Sequence, residues 1–193
     1  MKEFRYRAWL ISAFSGWVLG VILIVLLSGF LDSIGIEGRQ FYLGLGMGGG
    51  VALVQWLYLK KCFRVSILYV VAAMTGMTIP FFIVELFDIP IAYKLLICVA
   101  AGGVLTGFLQ QFTLPVDPAR KRLVVLYTFL AWTASALPVF LINVTMQITA
   151  AGWVNLVLAF LNLILILSGG YIYGLVSGRI YRPEGKKIPV STK

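Results

Sequence analysis

Long apolar runs separated by short polar or basic clusters organise this chain. Six runs are readable, at approximately 8–31, 41–59, 65–87, 91–114, 123–145 and 152–178. Each approaches or exceeds the roughly 20 residues a helix needs to cross the hydrocarbon core of a bilayer. None has the two-residue alternation of a half-buried strand, so the pattern predicts six transmembrane helices.

The runs also repeat. Trp9, Ala13, Ser15, Gly16 and Gly20 align with Tyr69, Ala73, Thr75, Gly76 and Pro80, and these with Tyr127, Ala131, Thr133, Ala134 and Pro138. After each set comes a small residue, another four positions on, and a polar one three further: Gly48, Ala52, Gln55; Gly103, Gly107, Gln110; Gly170, Gly174, Ser177. A period of about 55–67 residues marks tandem structural units. The repeats run over approximately 8–59, 65–114 and 123–178, each a pair of helices crossing the membrane in the same sense. The predicted fold is therefore all-α and transmembrane. It is a six-helix bundle of three parallel hairpin repeats about a quasi-threefold axis along the membrane normal.

Helical arithmetic assigns faces. At about 100° per residue from Gly103, Gly107 lies near 40°, Gln110 near 340° and Gln111 near 80°, on one side of the fourth helix. Lipid offers helices no hydrophobic reason to associate, so small residues that let backbones approach are the expected packing positions. Those are Gly48, Ala52, Gly103, Gly107, Gly170 and Gly174, and the even helices that carry them are candidates for an inner ring. Pro80 and Pro138 should kink the third and fifth helices, with Thr75 and Thr133 available for the carbonyls they free. Tyr6, Trp9, Tyr42, Tyr58, Tyr93, Trp153 and Tyr181 sit near predicted boundaries and read as interfacial anchors. Tyr171 and Tyr173 lie deeper, and their hydroxyls require partners.

Composition agrees with lipid as the solvent. Of 193 residues, 61% are hydrophobic and 12% charged, against about 25% charged in soluble domains. A net charge of +9 would point to nucleic acid in a soluble chain, but its placement argues otherwise. The clusters Lys2–Arg7, Lys60–Arg64, Arg120–Arg122 and Arg179–Lys193 hold 14 of the 16 basic residues, all on one side of the predicted membrane, while Arg39 and Lys94 lie on the other. The positive-inside rule then places both termini in the cytoplasm of a multi-pass protein of the inner (plasma) membrane. The stretch 179–193 is read as a basic cytoplasmic tail that attracts anionic headgroups, with no nucleic-acid partner. The first run, Ala8–Leu27, exceeds a usual signal-peptide core and no small-x-small site follows it, so it should stay attached.

Catalytic chemistry is sparse. The chain has no histidine, and its two cysteines, Cys62 and Cys98, fall at different depths, so neither a zinc site nor a disulfide is expected. Glu85 is the carboxylate within an apolar run, near its outer end, where a surface or capping role is expected. Without a base, serine and threonine have no route to nucleophilic activation. No enzyme, cofactor or metal is expected. Asn143, Asn155 and Asn162 are further amides at depth, and the sequon Asn143-Val144-Thr145 reads as chance. Gln55, Gln110, Gln111 and Ser177 form a candidate polar collar at the cytoplasmic end, suited to a small polar solute or a lipid headgroup. Packing alone also accounts for them.

The stretch GGGVALVQWLYL from Gly48 to Leu59, followed by Lys60 and Lys61, resembles a set of small bacterial multi-spanning proteins of unknown function with repeated glycine-rich, Gln-Trp-ending segments. Gln110 and Gln111 replace Gln-Trp in the fourth helix, and Ser177 and Gly178 in the sixth. The resemblance implies a bacterial inner-membrane protein. Size and helix count also look like the substrate-binding membrane component of energy-coupling-factor vitamin transporters, in which Gly16 and Gly20 would offer a small-residue docking surface. The expected function is a non-enzymatic accessory or scaffold subunit that binds lipid or other membrane proteins, the alternative being a small-solute transporter or substrate-binding component.

Overall fold

The computed structural model describes residues 4–36, 40–88, 93–145 and 153–181. It contains six helices, α1 (Tyr6–Ser33), α2 (Phe41–Cys62), α3 (Leu68–Leu86), α4 (Lys94–Gln110), α5 (Pro118–Thr145) and α6 (Trp153–Ser177), then a 3₁₀ turn over Gly178–Tyr181. No strand occurs among the described residues. Five of the six helices are long and apolar enough to cross a membrane, and α4 is a shorter apolar helix. Arg39 and the basic tail beyond Tyr181 lie outside the described residues, as does the side chain of Asn143.

Each helix packs on its neighbours in sequence, and α6 returns to α1, closing a six-membered up-and-down ring. Antiparallel order is legible in the contacts: Gly16 faces Val51 while Gly20 faces Met47, and Gly170 faces Trp17 while Gly174 faces Ala13. The start of α1 and the end of α6 therefore share one end of the bundle, where the Tyr6 hydroxyl donates to the Leu175 carbonyl at 3.1 Å.

The six predicted packing residues are buried, but they do not face a common inner ring. Gly44 and Gly48 approach Met77 and Ala73 of α3, whereas Gly46 and Gly50 approach Ile24 and Gly20 of α1. Residues two apart on a helix point about 200° apart, so this glycine run writes two stripes on opposite sides of α2. Gly103 and Gly107 likewise meet Phe129 and Val125 of α5, while Gly102 meets Met77 of α3. Odd and even helices thus alternate in one ring. The physical reason is direct: a small face accepts the bulkier odd helix on either side, and short connections keep sequence neighbours adjacent.

Gly16 and Gly20 are covered by α2, which corrects the expectation that they offer a free docking surface. Trp9 and Tyr181 are corrected too. Both are buried in the bundle rather than anchored at its surface, whereas Tyr93 and Trp153 are exposed near helix starts. Pro80 and Pro138 lie inside α3 and α5. Thr75 is exposed and the buried Thr133 hydroxyl has no partner, so neither serves the carbonyls freed by proline. Thr78 bonds instead to the Met74 carbonyl at 2.7 Å. At the opposite end from the chain termini, the Gln40 backbone amide at the start of α2 donates to the Glu85 carboxylate. That is the capping role expected of Glu85.

Candidate functional site

Three layers of side chains fill the ring. Phe81, Val84 and Cys98 form the layer farthest from the termini. Trp17, Met77, Trp132 and Tyr173 occupy the middle, with Ala13 and Ala131 beneath them. At the terminal end lie Trp9, Leu59, Tyr69, Val124 and Tyr181. Tilted aromatic contacts consolidate two of these layers from within, with ring centroids 4.7 Å apart for Trp132 and Tyr173 in the middle and 4.8 Å for Trp9 and Tyr181 at the terminal end.

Polar groups enter this axis where the repeated Gln or Ser positions predicted them. Gln55, Gln110 and Ser177 are 0%, 3% and 2% exposed. Gln55 continues the Gly48–Ala52 face of α2, and the short turn into α3 brings Tyr69 to its level. The Tyr69 hydroxyl donates to Gln55 Oε1 at 3.0 Å. Tyr69 also faces Gln110 and the Tyr181 hydroxyl, and the Tyr173 hydroxyl lies beside the Gln55 amide. Ser177 closes the arrangement: its hydroxyl bonds back to the Tyr173 carbonyl at 2.7 Å and lies 3.2 Å from the Trp9 indole nitrogen, which donates to it.

Gln111 departs from the expected collar. At the C-cap of α4 its backbone is still helical, the amide donating to the Gly107 carbonyl at 3.1 Å, and Gln111 follows the Gly107 side toward α5, where it lines an outer groove with Phe108 and Arg122. Tyr69, Tyr173, Tyr181 and Trp9 take the place it was expected to fill. Tyr173 carries the signal of a phenol at depth that needs a partner, whereas Tyr69, Tyr181 and Trp9 are aromatic residues near the ends of apolar runs, which match an interfacial anchor equally well.

Chemically, this is a neutral hydrogen-bonding cluster of two carboxamides, three phenols, a hydroxyl and an indole. Gln55 Nε2 and Trp132 Nε1 are buried without hydrogen-bond partners. No cluster of three or more His, Cys, Asp or Glu able to hold a metal occurs among the described residues. Cys62 and Cys98 are both free. Two surface grooves lie on the flanks, one lined by Val104, Phe108 and Phe129 and the other by Phe41, Phe82 and Glu85, and neither is lined by a buried collar residue.

The fold and site thus define an all-helical ring bundle with a membrane-compatible exterior and a polar knot at one end. Compared with protein-family models, curated proteins and solved structures, the chain matches none.

The Gln55–Tyr69 pair gives a measurable coupling. In a double-mutant cycle of Gln55→Leu and Tyr69→Phe, followed by reversible unfolding in mixed detergent, the interaction energy is expected at about 0.6 kcal/mol and no more than about 1.7 kcal/mol. Strict additivity would mean that the bond contributes nothing to the fold.

Proposed function

We propose that this chain is a multi-pass protein of the inner (plasma) membrane, with both termini in the cytoplasm, acting as a non-enzymatic accessory or scaffold subunit. The observation that carries this reading is where the chemistry lies. Side chains occupy the ring axis, while the apolar perimeter is broad, with Ile11, Val25, Phe82, Leu137, Leu156 and Phe160 among its exposed residues. Interaction surface is therefore concentrated on the outside, facing lipid and other helices. The basic clusters at the Tyr6–Ser177 end support the assigned orientation.

Quasi-threefold tandem repetition belongs to the same proposal. Its support is that Ala13, Ala73 and Ala131, at matching repeat positions on α1, α3 and α5, are 0%, 1% and 0% exposed.

Extraction in mild detergent followed by mass spectrometry of proteins and small molecules tests the assignment. A protein co-purifying in fixed ratio is the expected result, and a lone monodisperse monomer opposes it. A bound polar solute in place of a protein would favour the second reading, a solute-binding or transport component. The Gln55 Nε2, buried in the collar without a hydrogen-bond partner, is the observation on its side.

A further inference from the structure

The flank between α4 and α5 carries chemistry the collar does not use. Gly103 and Gly107 set the separation of these helices: a Cβ on Gly103 would lie 3.2 Å from the Phe129 Cα, and one on Gly107 2.8 Å from the Val125 Cα. Contact along that line leaves an outer trough of about 430 Å³, running between Val104, Phe108 and Gln111 on one side and Arg122, Val125 and Phe129 on the other. Each row has the three- and four-residue steps of one helix face. Polarity is segregated along the trough. Because the helices are antiparallel, Gln111 and Arg122 meet at one end, and the lining from there to Val104 and Phe129 is apolar for about 10 Å at roughly 1.5 Å per residue.

Arg122 is exposed and makes no hydrogen bond or ion pair among the described residues. Lys121 adds charge at the same end, its ammonium 5.8 Å from the centroid of the Phe112 ring.

We propose that this trough is a binding site for an anionic phospholipid, with one acyl chain lying along Val104, Phe108 and Phe129 and the phosphate held by the Arg122 guanidinium and the Gln111 amide. Lipid tails are as apolar as the side chains they touch, so tail contact confers no preference among lipids, and selectivity falls to the headgroup. A planar guanidinium fork matches phosphate oxygens and a carboxamide supplies a further donor, while the adjacent Lys121 and Arg122 charges disfavour the cation of a zwitterionic headgroup and so favour a net anionic one. A partner's transmembrane helix would fit the apolar part alone, whereas the bilayer presents phosphate at the depth of Arg122 on every face of the bundle. The site rests on the membrane reading above, but it does not require a protein partner.

The test uses the full chain in detergent, titrated with phosphatidylglycerol or phosphatidylcholine of identical acyl chains and read by native mass spectrometry. Phosphatidylglycerol is expected to bind about fivefold more tightly or better. Arg122→Gln should bring that ratio close to one, Gln111→Leu should lower it in part, and Arg7→Gln, on the opposite side of the ring, should leave it unchanged. Equal binding of the two lipids, or a preference that survives Arg122→Gln, overturns the proposal. Photocrosslinking from benzoylphenylalanine in place of Leu126 should label phospholipid in native membranes, and labelling of a protein there overturns the lipid assignment. Absence of any co-purifying protein with the lipid preference intact would remove the accessory reading and leave this site standing.

Discussion

Gly50→Ala is expected to destabilise the bundle by about 3 kcal/mol, because the added methyl group has only main chain to meet. It would fall on the Gly20 backbone nitrogen and lie 2.5 Å from the Gly20 Cα. Backbone cannot rotate out of the way as a side chain can, so α1 and α2 must move apart along their whole seam. Two controls separate this mechanism from a general loss of glycine flexibility. A methyl group on Gly29, inside α1, would have nothing within 4 Å, and Gly29→Ala should stabilise by about 0.4–1 kcal/mol through the better helix propensity of alanine. Gly49 meets only the flexible Met74 side chain, at 3.4 Å, and should fall between them. Denaturant titration of the three variants in one detergent decides the matter, and equal stabilities for Gly50→Ala and Gly29→Ala would remove the close-approach account.

Trp9→Ala has the other large expected effect, a loss of about 3–5 kcal/mol. The indole is 1% exposed, packs at a tilt against the Tyr181 ring and near Phe4 and Tyr58, and donates to Ser177. Its removal leaves a cavity where α1, α2 and the final 3₁₀ turn meet. Opening there should be local before it is global, and the two free cysteines report it. Cys62 is buried in the terminal half, and Cys98 is buried in the opposite half. Maleimide labelling of Cys62 should accelerate about tenfold in Trp9→Ala while Cys98 changes far less. Equal acceleration at both sites would mean that the whole bundle loosens together.

Much of the architecture is legible in the order of residues. Run length and the lack of two-residue alternation mark six helices, since a bilayer admits only helices and closed barrels and these runs fit the helix. The small residues mark the packing faces, because only they allow helices to touch in a medium without a hydrophobic driving force. What periodicity does not specify is which neighbour a face meets. The spacing of Gly44, Gly46, Gly48 and Gly50 holds that information, as two stripes about 200° apart call for a partner on each side of α2. The stripe through Gly48, taken alone, implies an inner ring that the alternating arrangement replaces.

The collar is legible in part for a related reason. Gln55, Gln110 and Ser177 announce themselves as polar residues in apolar surroundings. Tyr69, Tyr181 and Trp9 do not, because an amphipathic ring at the end of a membrane helix fits the bilayer interface as well as it fits a bundle interior. Gln111 shows the opposite error. Its backbone is still helical and it keeps to the Gly107 side of α4, but that side meets Val125 of α5 and the outer groove, and not the axis.

The α1–α6 seam has a consequence for biogenesis. The Trp17 indole nitrogen donates to the Ile166 carbonyl at 2.8 Å, 149 positions along the chain, and the Trp9–Ser177 bond spans 168 positions. At roughly 5–20 residues per second of synthesis, α1 waits on the order of ten seconds, in or beside the bilayer on the membrane assignment proposed above, before α6 exists to receive these two donors. Until then its indoles must be satisfied by water, lipid carbonyls or the insertion machinery. Ring closure thus waits for α6, and a ribosome stalled before α6 would leave an open five-helix arc with α1's tryptophans lacking these partners.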